Sequence, residues 1–266
     1  MDKYSPPFHM TDGMVSLMVD IGEEAGRITA LTGGRMSDEI RRSNRIRTIR
    51  SSLAIEGNTL SIEQVTAIMD GKRILANPIE IREVKDACAA YDLMLSLDPY
   101  SVDDLLKAHS VMMDALVSEN GVFRSGSVGV FDGETLLHMA PAASSVPFLI
   151  KDLFKWYGEP SLHPLIKSAV FHYEFEFIHP FCDGNGRMGR LWHSLLLGHW
   201  KEMFYWLPLD DLIKTRQKDY YDALNEAGRV SDSAVFVALM LEIIRDTLKD
   251  TTAAVAGTDQ VIGKSD

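Results

Sequence analysis

The chain has 266 residues, of which 46% are hydrophobic and 24% are charged, a composition that is ordinary for a globular protein with a sizeable core. Its formal net charge of -11 and its pI of about 5.2 disfavour nucleic acid as the main partner, because phosphate backbones are bound by basic surfaces. The N-terminus lacks a signal-peptide pattern, no apolar stretch reaches the roughly 18–20 residues that span a bilayer, and two cysteines suggest no disulfide framework. These features predict a cytoplasmic protein with no membrane partner.

Helical periodicity dominates the first part of the chain. Apolar residues recur at helical spacing over residues 12–34 and again over about 38–56, where Ser37 can cap the second helix. Shorter amphipathic helices are predicted after Ser61 and after Pro78. The pattern indicates an all-α protein.

A weak boundary at Pro99 divides the helical pattern into two regions. We expect an N-terminal helical region over residues 1–98 and a core domain over 99–250. The segment 251–266 is small and polar, which predicts a disordered tail.

One segment departs from the helical pattern. In "SGSVGVFDGETLLHMAP", Val128 and Val130 flank Gly129, and Asp132 followed by Gly133 is a strong turn signal. We predict one short β-hairpin in an otherwise helical protein. Because a lone hairpin is marginal in water, it should lie on the helical body, where it can serve recognition.

The stretch "HPFCDGNGRMGR" separates two apolar helical segments and is more polar than a helix connection requires. Pro180 disfavours helical backbone at His179, so the first helix should end there. The free N–H groups and the dipole at the start of the next helix favour an anion. Arg187 and Arg190 lie three residues apart and project from one face of that helix. A polyphosphate across the helix start would explain the glycines and both arginines together.

Three other side chains of this stretch suit nucleotide chemistry. Asp183 offers a hard oxygen that suits Mg²⁺, and Asn185 can donate to a phosphate oxygen. His179 carries an imidazole, the side chain whose unperturbed pKa lies near neutrality, so it can accept a proton from a hydroxyl nucleophile. The stretch therefore indicates group transfer from a nucleotide to an alcohol. The alternatives are a glycine-rich helix connection with solvated charges, or a structural metal site formed by His163, His172, Glu176 and His179.

At every fixed position, residues 179–190 match the signature of Fic (Fido-fold) proteins, H-x-F-x-D/E-G-N-G/K-R-x-x-R, and the chain resembles that family over roughly residues 14–245. "GVFR" at 121–124 and the predicted hairpin resemble the family's target-docking flap, which here would include Val128, Gly129 and Val130. The resemblance implies an all-α Fic fold with one short β-hairpin flap.

The resemblance also implies an activity, AMPylation, in which AMP passes from Mg-ATP to a Ser, Thr or Tyr hydroxyl of a target protein and pyrophosphate leaves. His179 would be the general base and Asp183 the Mg²⁺ ligand. By the same analogy Tyr220 and Tyr221 would border the adenine pocket, although core positions suit them equally. Self-modification and a homodimer are both compatible with the sequence.

The glycines and arginines of the motif take phosphate-binding roles in the same comparison. Gly184, Asn185 and Gly186 would form an anion cradle. Arg187 would hold the β-phosphate and Arg190 the γ-phosphate. The ATP site would then expose the α-phosphorus to attack.

A second motif lies upstream, in "SSLAIEGN" at 51–58. Ser52, Glu56 and Gly57 match S/T-x-x-x-E-G/N, the inhibitory helix motif of Fic proteins. The resemblance implies that Glu56 competes with the γ-phosphate for Arg190. Two other interpretations stay open: Glu56 positions water in a deAMPylase, or the protein is a nucleotide-responsive binding module without turnover.

Overall fold

Helices account for most of the regular structure in the computed structural model, which describes residues 4–132, 135–160 and 162–262. Eleven α-helices lie within these described ranges: α1 (Asp12–Leu31), α2 (Asp38–Ile55), α3 (Ile62–Met69), α4 (Pro78–Met94), α5 (Val102–Met112), α6 (Val146–Gly158), α7 (Pro164–Ile178), α8 (Asn185–Trp200), α9 (Leu209–Thr215), α10 (Gln217–Val230) and α11 (Ala234–Ile262). The predicted all-α class is confirmed.

A two-stranded antiparallel hairpin interrupts the helices between α5 and α6. Strand β1 (Gly129–Asp132) pairs with β2 (Thr135–Met139), and Gly129 lies opposite Met139 at the open end. The strands occupy the segment in which the sequence predicts a hairpin. Gly133, the predicted turn residue, lies outside the described residues.

Helices α7 and α8 form the centre of the core. Both carry apolar residues around most of their circumference, as expected for helices that neighbours cover on all sides. The indole of Trp192 is fully buried, and Gly198 lets the ring of Tyr205 pack against the α8 backbone, since a Cβ there would collide with it. Despite this apolar core, none of the helices in the described ranges is long and apolar enough to cross a membrane.

The C-terminal helix α11 is longer than the sequence suggests. It packs along α1 and continues to Ile262, so the backbone is helical over residues 251–262, where the sequence predicts a tail. Thr252 donates a hydrogen bond to Glu24 of α1 at 3.2 Å, and Val255 is buried. Contacts with a helix more than two hundred residues away order a segment whose composition alone suggests a tail. The remaining residues, 263–266, lie outside the described ranges.

The N-terminal helices share the core of the rest of the chain. Helix α2 packs on α9, α4 packs on α5, and one continuous cluster of buried side chains runs through residues on both sides of Pro99. This packing brings the end of α2 beside the start of α8, the two places at which the sequence places its motifs.

Candidate active site

The predicted base, His179, occupies the turn that ends α7. Its backbone is left-handed, with φ 50° and ψ 64°, and α7 ends one residue earlier, as Pro180 predicts. The imidazole Nδ1 lies 3.2 Å from the carbonyl oxygen of Glu176. Because a carbonyl can only accept, Nδ1 carries the hydrogen and the lone pair lies on Nε2. His179 therefore has the tautomer that accepts a proton through Nε2.

Arg124, the last residue of "GVFR", fixes the backbone around that histidine. Its buried guanidinium donates to the carbonyl oxygens of His179 at 2.7 Å and Ile178 at 3.4 Å. It also donates to Gly126 at 2.8 Å and Pro141 at 2.5 Å, on either side of the hairpin. One arginine thus links both ends of the hairpin segment to the residue that carries the base. The sequence associates this arginine with the flap only by resemblance.

His109 of α5 supports the middle of the loop, a role that the sequence does not reveal. Its ring stacks on Phe181 with centroids 3.7 Å apart, and Gly121 N–H donates to its Nδ1 at 3.0 Å. Nε2 then carries the hydrogen and donates to the carbonyl oxygen of Asp183 at 3.0 Å. Burial lowers the pKa of His109 to about 4, so the ring stays neutral. A single histidine within an amphipathic helix gives no sequence signal for such a partner.

The side-chain amide of Asn185 forms hydrogen bonds within the loop. Its Oδ1 accepts from the N–H of Phe181 at 2.8 Å and its Nδ2 donates to the carbonyl oxygen of Phe181 at 2.9 Å. The Asn185 side chain is buried beside Phe181. It supplies the hydrogen-bond partners that the buried backbone of Phe181 needs. These bonds use the amide oxygen and one N–H of the side chain, and the predicted hydrogen bond from Asn185 to phosphate stays a prediction. Its backbone N–H opens α8, next to Gly184 at φ 81°.

Asp183 is the exposed carboxylate of the loop. Its side chain is 62% exposed, and Oδ1 accepts from Gly184 N–H at 2.6 Å and lies 3.4 Å from Nη2 of Arg187. An exposed carboxylate beside an arginine suits Mg²⁺, which usually takes one or two protein carboxylates together with substrate phosphates. One carboxylate is compatible with a Mg²⁺ held mainly by substrate phosphates, although the described residues contain no group of three or more possible metal ligands, and the metal role of Asp183 stays a prediction.

Arg190 is the most deeply buried cation of the site, with a side chain that is 1% exposed. Nη2 donates to Oε1 of Glu56 at 2.7 Å and to the carbonyl oxygen of Ser52 at 3.0 Å, and Nε donates to Ser52 Oγ at 3.1 Å. Nε also lies 3.7 Å from the buried carboxylate of Asp210. Burial opposes the charged guanidinium, but Glu56 and Asp210 outweigh it, so the pKa of Arg190 lies above its ordinary value.

The glycines place Glu56 against the start of α8. Glu56 caps the C-terminus of α2, and the chain then turns at Gly57, where φ is 95°. The N–H groups of Gly57 and Asn58 return to the last turn of α2, which is a common helix ending. A Cβ at Gly186 would lie 2.5 Å from Glu56 Oε1, so a glycine is needed there for Glu56 to approach the loop.

The two predicted adenine-pocket tyrosines occupy different environments. Tyr220 is 1% exposed, packs edge-on against Phe236, and its hydroxyl lies 3.1 Å from Nε2 of His172. It packs as a core residue, one of the two positions that the sequence allows, and its place beside an adenine pocket stays a prediction. Tyr221 is partly buried on α10, and its predicted role stays a prediction.

The predicted docking residues lie at the start of the hairpin. Val128 is partly exposed just before β1, and Gly129 opens the strand. The side chain of Val130 lies outside the described part of the chain. The docking role of these residues stays a prediction.

Glu176 is a buried carboxyl one helical turn before His179. Its side chain is 11% exposed and Oε1 lies 3.7 Å from Nε2 of His172. A Cβ at Gly189 would collide with this carboxyl, so the glycine leaves room for it. Burial raises the pKa of Glu176 to about 7, while His179 and Arg190 act in the opposite direction. The sequence presents Glu176 only as one candidate ligand of a structural metal site, together with His163, His172 and His179.

Replacing Glu176 with glutamine should make the protein less sensitive to pH. The raised pKa means that the folded state keeps a proton that the unfolded chain loses above its ordinary value of 4.5. The stability from that proton is present below about pH 4.5 and is lost as the pH rises to about 7. Urea unfolding should therefore show Glu176→Gln gaining stability over the wild type at about pH 8 but not at about pH 4.5. An equal difference at both pH values would contradict this assignment.

The fold and the loop together define a helical protein with a polar loop and two buried arginines at the start of a buried helix. A model of the Fic/DOC family matches residues 99–197. The crystal structure of a Fic family protein from Desulfovibrio desulfuricans G20 aligns with a TM-score of 0.91 and 50% identity, over 94% of this chain and 77% of that chain. The chain belongs to the Fic/DOC family, which confirms the resemblance seen in the sequence.

Curated relatives carry the name protein adenylyltransferase Fic. The protein of Nematostella vectensis is 31% identical over 208 residues, which cover 73% of this chain and 46% of that protein. The protein of Aedes aegypti is 30% identical over 218 residues, which cover 76% of this chain and 41% of that protein. The chain spans less than half the length of these two relatives.

Proposed function

We propose that the protein transfers AMP from Mg-ATP to a hydroxyl side chain of a target protein. The observation that carries the proposal is the pair Arg187 and Arg190 at the start of α8, with His179 before them and Glu56 on the second arginine. An acidic side chain bonded to a buried arginine marks the place that an anionic ligand group would take. The names of the curated relatives support the same chemistry.

The residues of the chain suit an in-line displacement at the α-phosphorus. Nε2 of His179 takes the proton of the target hydroxyl, the hydroxyl oxygen bonds to the α-phosphorus, and the bond to pyrophosphate breaks. Arg187 and Arg190 hold the charge of the leaving pyrophosphate, together with the backbone N–H groups that open α8. Mg²⁺, held by Asp183, would add positive charge at the phosphates. The hairpin, tied to the His179 backbone through Arg124, would position the target segment.

Glu56 restrains this reaction in the proposed resting state. Its carboxylate and the γ-phosphate are both anions, and Arg190 donates to Glu56 in the structure at 2.7 Å. ATP must displace Glu56 to use both arginines. Release of Glu56 then becomes the step at which activity is controlled.

The test is a comparison of ATP labelled at the α- or the γ-phosphate, with the wild type and Glu56→Gly. We expect the α-label to remain on protein and the γ-label to leave with pyrophosphate. Protein-bound γ-label would show phosphoryl transfer instead. ATP binding without either label, even in Glu56→Gly, would show a binding module. Release of AMP from modified protein that depends on Glu56 would show a deAMPylase.

A further inference from the structure

The first arginine of the site, Arg187, is a buried cation, and most of its guanidinium N–H groups lack a hydrogen-bond acceptor among the described residues. Its side chain is 6% exposed, and its closest acidic atoms are Oδ1 of Asp183 at 3.4 Å and Oε1 of Glu83 at 3.7 Å. Its Nε is buried without a hydrogen-bond partner. A guanidinium has five N–H donors, so this arginine is arranged to receive a further acceptor.

The second of these acids, Glu83, comes from α4 and not from the loop. Its side chain is 22% exposed, and Oε2 accepts from Nδ2 of Asn58 at 2.8 Å, which leaves Oε1 towards Arg187. Asn58 is itself fixed, since it also donates to the Glu80 carbonyl oxygen at 3.2 Å and accepts from Leu60 N–H at 3.1 Å. Glu83 is therefore held beside Arg187 by a residue two positions after Glu56.

The two arginines of the site thus each face one glutamate from outside the loop. Glu56 bonds to Arg190 at 2.7 Å, and Glu83 lies 3.7 Å from Arg187. We propose that Glu83 is a second acidic determinant of nucleotide binding, which opposes the phosphate on Arg187 as Glu56 opposes the phosphate on Arg190. The inference rests on the proposed function, because it takes Arg187 as the β-phosphate ligand.

The two glutamates should act on different nucleotides. The γ-phosphate is present only in ATP, so Glu56 lowers the affinity for ATP and leaves the affinity for ADP unchanged. The β-phosphate is present in both nucleotides, so Glu83 lowers the affinity for ATP and for ADP by a similar factor. Together the two glutamates make the affinity of the site depend on the number of phosphates. Asn58 links them, because it bonds to Glu83 and follows Glu56 by two residues.

Calorimetric titration with Mg-ADP and with Mg-ATP tests this assignment, in a His179→Ala background that prevents turnover. Glu83→Gln should tighten both nucleotides by about fivefold, the size expected for one partly solvated charge pair. Glu56→Gln should tighten Mg-ATP and leave Mg-ADP unchanged. Glutamine at 83 keeps an oxygen for Asn58, so the position of α4 should be preserved.

Glu80→Gln is the matched control, because it removes the same charge from the same helix. The Glu80 carboxylate bonds to Thr59, at 2.6 Å from its N–H and 2.8 Å from its hydroxyl, instead of facing the loop. Weaker or unchanged Mg-ADP binding by Glu83→Gln, or equal tightening by Glu80→Gln, would overturn the inference alone. Failure of every variant to bind either nucleotide would refute the proposed function and this inference with it.

Discussion

Replacing His179 with alanine is expected to slow AMP transfer by about 10²- to 10⁴-fold, the usual contribution of a positioned general base. The structure gives this residue a left-handed backbone, an Nδ1 directed at the carbonyl oxygen of Glu176, and a carbonyl group bonded to Arg124. The Nδ1 contact orients the ring, and the other two features fix the backbone that carries it. The measurement is the initial rate of α-label incorporation into protein at saturating Mg-ATP, made in a Glu56→Gly background so that activity is not limited by the resting state.

Nucleotide affinity separates loss of the base from loss of the loop. The imidazole is not among the proposed phosphate contacts, so His179→Ala should bind Mg-ATP with the affinity of its parent. His199→Ala, at an exposed histidine near the end of α8, is the matched control and should label at the parental rate. Labelling by His179→Ala at a rate comparable to that of the control would exclude the role of His179 as the base.

The functional loop could be predicted from sequence because its residues act within one short segment. Pro180 predicts the end of α7, and the order of His179, Asp183 and the two arginines is that of the observed loop. The inhibitory role of Ser52 to Gly57 was implied only by the family resemblance and stays a prediction. Their spacing alone predicts a helix that ends at Gly57.

The residues that hold the loop in place could not be predicted, since their partners are distant in the chain. His109 bonds to a carbonyl oxygen 74 residues later, and Arg124 reaches the backbone of His179 55 residues later. Asn185 has a structural role that the sequence does not reveal. It lies within the motif, and its side-chain amide bonds to both the N–H and the carbonyl oxygen of Phe181. The sequence shows which polar groups are present, while packing decides which of them are already satisfied.

The tail shows the same limit at the level of the fold. Residues 251–262 have a composition that suggests disorder, yet α1 offers a surface along which α11 continues. A prediction from local composition has no information about that surface. The hairpin was predictable because strand alternation and the Asp132 turn signal are local, and its attachment through Arg124 was not.

Replacing Glu56 with glycine is expected to tighten ATP binding by about 10- to 100-fold and to raise labelling at low ATP accordingly. The reasoning treats the site as two states, with Arg190 bonded either to Glu56 or to a phosphate. If a gap of a few kcal/mol leaves about 1–10% of molecules with Arg190 released, the apparent affinity falls to about that fraction of its intrinsic value. The variant removes the competing state. The measurement is the dependence of the labelling rate on ATP concentration.

The fold should tolerate this change, which makes the prediction testable. Arg190 keeps Asp210 at 3.7 Å and the two oxygen atoms of Ser52 when Glu56 is removed, so its buried charge is not left unpaired. Glu39→Gly provides the control, since it removes an exposed glutamate from the first turn of the same helix. An unchanged ATP dependence in Glu56→Gly, or an equal shift in Glu39→Gly, would show that the bond between Glu56 and Arg190 does not restrain the enzyme. A shift in Glu56→Gly alone would place control of the reaction at the contact between α2 and α8, where any partner that moves the end of α2 would switch the protein on.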